Sequence, residues 1–100
     1  MDSDSPEWKE NIDQLRAKID VIDENILYAL GSRMNISRQI GEFKKSNNIA
    51  ILQTTRWDEV QAKAILKGKE HGLPEDFLKT VFNAIHEASV EVQNEIISGK

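Results

Sequence analysis

The chain has 100 residues, 39% of them hydrophobic and 30% charged, with a net charge of −4, which fits one small domain that buries only part of its surface when alone. The negative balance, without any dense run of Lys or Arg, argues against a nucleic-acid partner. Cysteine is absent, which excludes disulfides and thiolate metal ligands, and two histidines, His71 and His86, are too few for a convincing metal cluster.

The acidic start, MDSDSPEW, is unlike a signal peptide, and no apolar run approaches membrane-spanning length. A cytoplasmic protein with no membrane partner is therefore expected, with residues 1–7 as a flexible stretch or linker remnant. From Ile12 the apolar residues recur in steps of three and four: Ile12, Leu15, Ile19, Ile22, Ile26, Ala29, Ile36, Ile40 and Phe43. This heptad-like seam, with no proline between Pro6 and Pro74, predicts one long helix from about Pro6 to about Ser46. At ~1.5 Å per residue it would be roughly 60 Å long. Three helices of one small chain cannot cover such a rod, so a second chain is expected to do so.

Asn47-Asn48 favours a turn and predicts the end of that helix. A short connection, Ile49 to Thr54, follows. Thr55, with Asp58 three residues on, fits a capping pattern, and Thr54 is the alternative cap. The second helix is predicted to run to about His71, where Gly72 supplies a stop. Leu73-Pro74-Glu75-Asp76 then opens a third helix, with proline in its first turn and acids beside the positive end of the dipole. It continues through Phe77, Val81, Phe82, Ile85, Ser89, Val92 and Ile96. Without repeats or strand-like alternation, the class is all-α: one long helix plus two shorter ones in a single domain over residues 1–100.

Several polar residues fall on apolar faces. Arg33 occupies the seam position after Ala29, where a charge is expensive unless it is paired or faces a bound anion. Lys44, eleven residues later, projects from nearly the same face. On the third helix Ser89 and Gln93 continue the face of Phe82 and Ile85, and a buried amide needs partners at both ends. Arg56, early in the second helix, is placed to close the group from a third side. Arg16 lies seventeen residues before Arg33, ~25 Å along a straight helix, so only an antiparallel partner helix brings the two together.

Each residue also has a plainer reading. Arg33 as a register-setting ion pair, Lys44 as a solvated helix end, Gln93 as a satisfied buried amide, Arg16 paired with Asp13 or Asp20, and Arg56 paired with Glu59 are all ordinary outcomes. Trp57 reads as packing or as site lining, and His86 is assigned no chemistry. What favours a site is the conjunction of inward cations and an amide in a chain of negative net charge.

The segment LRAKIDVIDENILYALGSRMNISRQIGEFK resembles the opening helix of the all-helical (AroQ-class) chorismate mutase family at Leu15-Arg16, Ile19-Asp20, Ile22-Asp23, Arg33, Gly41 and Lys44. QTTRWDEV resembles the next element, at Arg56. Ser89-Val90 followed by Gln93 resembles the last. The resemblance covers nearly the whole chain without a gap.

It implies an intertwined helical homodimer with two sites, each completed by Arg16 of the partner subunit. It also implies a small dicarboxylate substrate, chorismate, that rearranges to prephenate in aromatic amino-acid biosynthesis with no metal, cofactor or covalent intermediate. Arg33 and the partner's Arg16 would hold carboxylates, Arg56 would line the pocket, Lys44 and Gln93 would donate to the breaking ether oxygen, and Ser89 would be a lesser lining contact. Where many members carry acids that bind the substrate hydroxyl, this chain has Gln53 and Trp57; glutamine still bonds a hydroxyl, whereas Trp57 offers only an N–H and bulk. Such mutases are often fused to, or associated with, another shikimate-pathway enzyme. An isochorismate-pyruvate lyase of the same fold and a non-catalytic helical dimerisation or regulatory module are the alternatives.

Overall fold

The computed structural model describes residues 6–99. They form three helices and no strand: α1 spans Glu7–Asn47, α2 Thr54–Glu70 and α3 Glu75–Ser98. Of the expected linker stretch, residues 1–5 lie outside the described residues, and Glu7 already belongs to α1. No helix among the described residues is long and apolar enough to cross a membrane.

Local chemistry sets the ends of the helices. Glu7 and Glu10 lie in the first turn of α1, and Lys44 and Lys45 in its last, each matched to the sign of the helix dipole there. The helix stops as Asn47-Asn48 predicts. Asn48 takes φ 54°, and the Ile49 N–H reaches back to the Lys44 carbonyl at 2.9 Å, which closes the helix in a Schellman-type turn.

The start of α2 corrects the expected cap. Neither threonine serves: Gln53 is the N-cap, in extended conformation (φ −115°, ψ 100°) and without a side-chain capping bond. Its carbonyl accepts the Trp57 N–H at 3.1 Å, so the first helical bond forms a residue or two earlier than the hydroxyl pattern suggested. At the other end His71 is the C-cap, Gly72 adopts φ 76°, and the Leu73 N–H returns to the Gly68 carbonyl at 3.0 Å. Pro74 precedes the first turn of α3 as its N-cap, a small shift from the expected position. Its carbonyl accepts the Leu78 N–H. Glu75 then meets Lys69 at 2.8 Å and Lys79 at 3.3 Å, and these hydrogen bonds, Lys69 first, hold its carboxyl below the usual carboxylate range.

The fold divides after Arg33. From Glu7 to that point the chain is a single run of helix whose seam lies open: Leu15, Ile19, Ile22 and Ile26 are each 50 to 56% exposed. From Met34 onward, the end of α1 and the helices α2 and α3 pack together. Gly68 lets α2 approach α3 at Leu78, because a Cβ at residue 68 would enter the Leu78 side chain. Gly41 does the same for α1 against α3, where a Cβ would meet Gln93 Cα and Cγ at 3.3 Å. Among the described residues Leu78 is the only buried hydrophobic side chain, while Ser37, Lys44, Ser89 and Gln93 are buried polar ones. The most buried side chains of this part are therefore mostly polar, with partly buried apolar residues such as Ile65, Val81, Phe82 and Ile85 around them.

Candidate functional site

Those four buried polar residues form one connected chain of hydrogen bonds. The Lys44 ammonium donates to Gln93 Oε1 at 2.9 Å and to the Ile51 carbonyl at 2.5 Å. Gln93 Nε2 donates to Ser89 Oγ, one turn earlier on α3, at 3.4 Å. Ser89 Oγ and Ser37 Oγ lie 2.6 Å apart and share a hydrogen bond across α3 and α1. Gly41 makes this possible, since its missing side chain lets the α3 backbone at Gln93 come close to α1. No buried side-chain nitrogen or oxygen among the described residues lacks a partner.

Lys44 is the electrostatic centre of this group. Both of its acceptors are neutral, and among the described residues it forms no ion pair. Burial pushes its pKa below the ordinary lysine value, because withdrawal from water penalises the charged form. A buried cation without a counter-charge is normally unfavourable. Here it is tolerated beside two oxygen dipoles, and one of its three N–H groups is left over for a further acceptor. Lys44 is thus no solvated helix end, and Gln93 is no isolated amide.

The other residues singled out from the sequence have different surroundings. Arg33 is partly buried, at the end of the first part of the chain. Arg16 is exposed and lies 3.9 Å from Asp13; Arg56 is exposed and lies 3.7 Å from Glu59. Both pairs are the plainer readings given above, and exposed pairs of this kind are weak and readily exchanged. Gln53 is exposed at the start of α2. Trp57 stacks on His86, with ring centroids 4.0 Å apart and planes 21° off parallel. His86, with Leu52 and Val90, also lines an open pocket of about 290 Å³. Trp57 thus packs on the histidine to which no role was assigned.

Ser37 was missed. Its signal lay in its spacing, one turn after Arg33 and seven residues before Lys44, on the face those two residues define.

The sequence profile of chorismate mutase type II matches residues 15–94. The chain belongs to that family. Within it, the chain is 31% identical over 87 residues to a 4-amino-4-deoxychorismate mutase of Streptomyces pristinaespiralis, covering 87% of this chain and 67% of the relative. A second 4-amino-4-deoxychorismate mutase, from Streptomyces venezuelae, is 25% identical over 87% of this chain and 84% of its own length. A bifunctional chorismate mutase/prephenate dehydratase of Buchnera aphidicola is 32% identical over 82% of this chain, which spans only 21% of that protein. The three-helix, strand-free architecture is that of an all-α chorismate mutase, and the family is one of isomerase-type enzymes.

Proposed function

We propose that the chain is a chorismate mutase, a single domain over residues 1–100 that converts chorismate to prephenate in aromatic amino-acid biosynthesis. The rearrangement is intramolecular: one ether C–O bond breaks, one C–C bond forms, and no proton or group is exchanged with the enzyme. It needs positioning and positive charge at the ether oxygen, not a nucleophile. The observation that carries the reading is the buried Lys44 ammonium beside Gln93, with no carboxylate among the described residues to neutralise it. Lys44 and an N–H of Gln93 would donate to the ether oxygen, a contact that strengthens as the bond breaks and so raises turnover.

Arg33 and Arg16 of the partner subunit would clamp the two carboxylates through paired, charge-assisted hydrogen bonds. Arg56 would leave Glu59 to line the pocket, with Ser89 and Gln53 as further contacts. This arrangement requires an intertwined homodimer, which the half-exposed apolar seam of α1 supports. A cytoplasmic location and a fused or associated pathway enzyme complete the proposal; the bifunctional relative supports the last point.

The same rearrangement on 4-amino-4-deoxychorismate is the second reading, supported by two of the relatives. The chemistry of this chain favours the hydroxyl substrate. Gln53 and Trp57, at the positions where the family resemblance puts contacts to that substituent, are uncharged and offer a ring ammonium no counter-charge.

The test is to incubate the purified protein separately with chorismate, its 4-amino-4-deoxy analogue and isochorismate, and to identify the products. Prephenate is expected from chorismate, at a higher kcat/KM than the amino analogue gives. Release of pyruvate from isochorismate with no prephenate from chorismate contradicts the proposal and makes the protein a lyase; no reaction with any of the three leaves the dimerisation module.

A further inference from the structure

Gln93 presents an ambiguity that the residues around it resolve. A carboxamide has two ends of nearly equal shape, one that accepts hydrogen bonds and one that donates them. Lys44 only donates, so its 2.9 Å contact fixes the oxygen of Gln93 on its side. The NH₂ group must then point toward Ser89, where the contact is long, 3.4 Å. That contact holds only if Ser89 keeps a lone pair turned toward Gln93. A serine hydroxyl free to rotate could instead present its hydrogen, and the amide would meet a donor at each end.

We infer that Ser37 is a positioning residue: by accepting the Ser89 hydroxyl hydrogen across the 2.6 Å contact it keeps a Ser89 lone pair turned toward Gln93 and so helps fix the orientation of the Gln93 amide. Ser37 is only 4% exposed. It comes from a different helix than Ser89 and Gln93, so it ties the amide to α1, the helix that also carries Lys44. With one N–H of Gln93 committed to Ser89, the other is aimed at a fixed angle for an incoming acceptor. Ser37 touches no reacting atom; it acts through Ser89. Its kinetic consequence rests on the mutase reading, whereas its effect on the amide does not.

The experiment is a double-mutant cycle read in two ways. In the ligand-free protein, Ser37→Ala is expected to shift the ¹⁵N and ¹H resonances of the Gln93 side-chain amide and to speed its exchange with solvent, with helix content unchanged. In turnover of chorismate, Ser37→Ala is expected to lower kcat about three- to tenfold, the size of one neutral hydrogen bond, with KM nearly unchanged. In a Ser89→Ala background the same change should do nothing further.

A Gln93 amide that ignores Ser37→Ala overturns the inference. So does an equal loss of kcat with and without Ser89, because Ser37 would then act by another route. If the wild-type protein turns over no chorismate, the mutase reading falls, and the amide resonances alone decide the role of Ser37.

Discussion

Along α1, side chains of opposite character meet opposite fates in the two parts of the fold. Up to Arg33, the apolar seam residues Leu15, Ile19, Ile22 and Ile26 stand half exposed, whereas from Met34 onward the polar Ser37 and Lys44 are buried. Neither pattern suits a helix that serves only its own chain. Covering the open half of one such Leu or Ile side chain is worth on the order of 1 kcal/mol, so the first part gains from a second apolar surface. The second part holds a lone cation in a polar interior, so it gains from an acceptor or anion. The contrast teaches that the same helix is unfinished in two ways, and the proposed function would answer one with a second protein chain and the other with a small molecule.

The largest effect should come from the buried cation. Lys44→Ala is predicted to reduce chorismate turnover by roughly 10² to 10³-fold, as for other preorganised donors, while the circular dichroism spectrum stays helical. A variant that melts at a different temperature but turns over normally would reduce Lys44 to a packing residue and dissolve the contrast.

The exposed seam is tested from the other side. Ile22→Asp would place an unpaired carboxylate in whatever covers that face, and self-association measured by sedimentation should weaken about 10- to 100-fold for each such carboxylate. If the wild-type protein sediments as a monomer at every concentration and is still active, the seam has no partner and the proposed dimer is wrong.

A third change sharpens the comparison within the packed part alone. Gly68→Val drives a side chain into Leu78 and should cost about 1–3 kcal/mol in denaturant unfolding, with kcat far less affected than by Lys44→Ala. The smallest effect concerns the stacked pair: a double-mutant cycle of Trp57→Ala and His86→Ala should give a coupling of about 0.5–1.5 kcal/mol. A coupling near zero would mean that the 4.0 Å stack adds nothing beyond the area each ring covers.

Much of this fold could be read from residue order because its signals are local. Asn47-Asn48, Gly72 and Pro74 act through their own backbone preferences, and the structure ends or begins helices within a residue or two of each. The cap of α2 failed for a related reason: a threonine hydroxyl shows that a cap is available, but the extended Gln53 backbone started the helix first. Lys44 and Gln93 stood out because a charge and an amide on apolar faces are costly exceptions, and they prove to be bonded to each other. Ser37 escaped because serine is small and nearly indifferent to burial, so its place in the chain of hydrogen bonds depends on a contact 52 residues away. Arg16 and Arg56 sit with their nearest acids, Asp13 and Glu59. Each is a local pair that sequence can suggest, whereas the role proposed for Arg16 belongs to an assembly of two chains.

Lys44 holds a buried positive charge that no carboxylate among the described residues neutralises and that a bound anion would. Burial lowers its pKa in the folded state. The charged form therefore opposes folding at neutral pH, and that penalty is relieved as pH rises through the interval between the lowered value and the ordinary one. The kcat/KM for chorismate, which reports the free enzyme and needs the ammonium, should fall as pH rises through that same lowered value.

The direct measurement is an NMR titration of the Lys44 side chain, with its ¹³Cε labelled, in the free protein and with prephenate bound. The expected result is a midpoint below that of the exposed lysines in the free protein, and a rise when the dicarboxylate product binds. An ordinary lysine midpoint that prephenate does not move would contradict it.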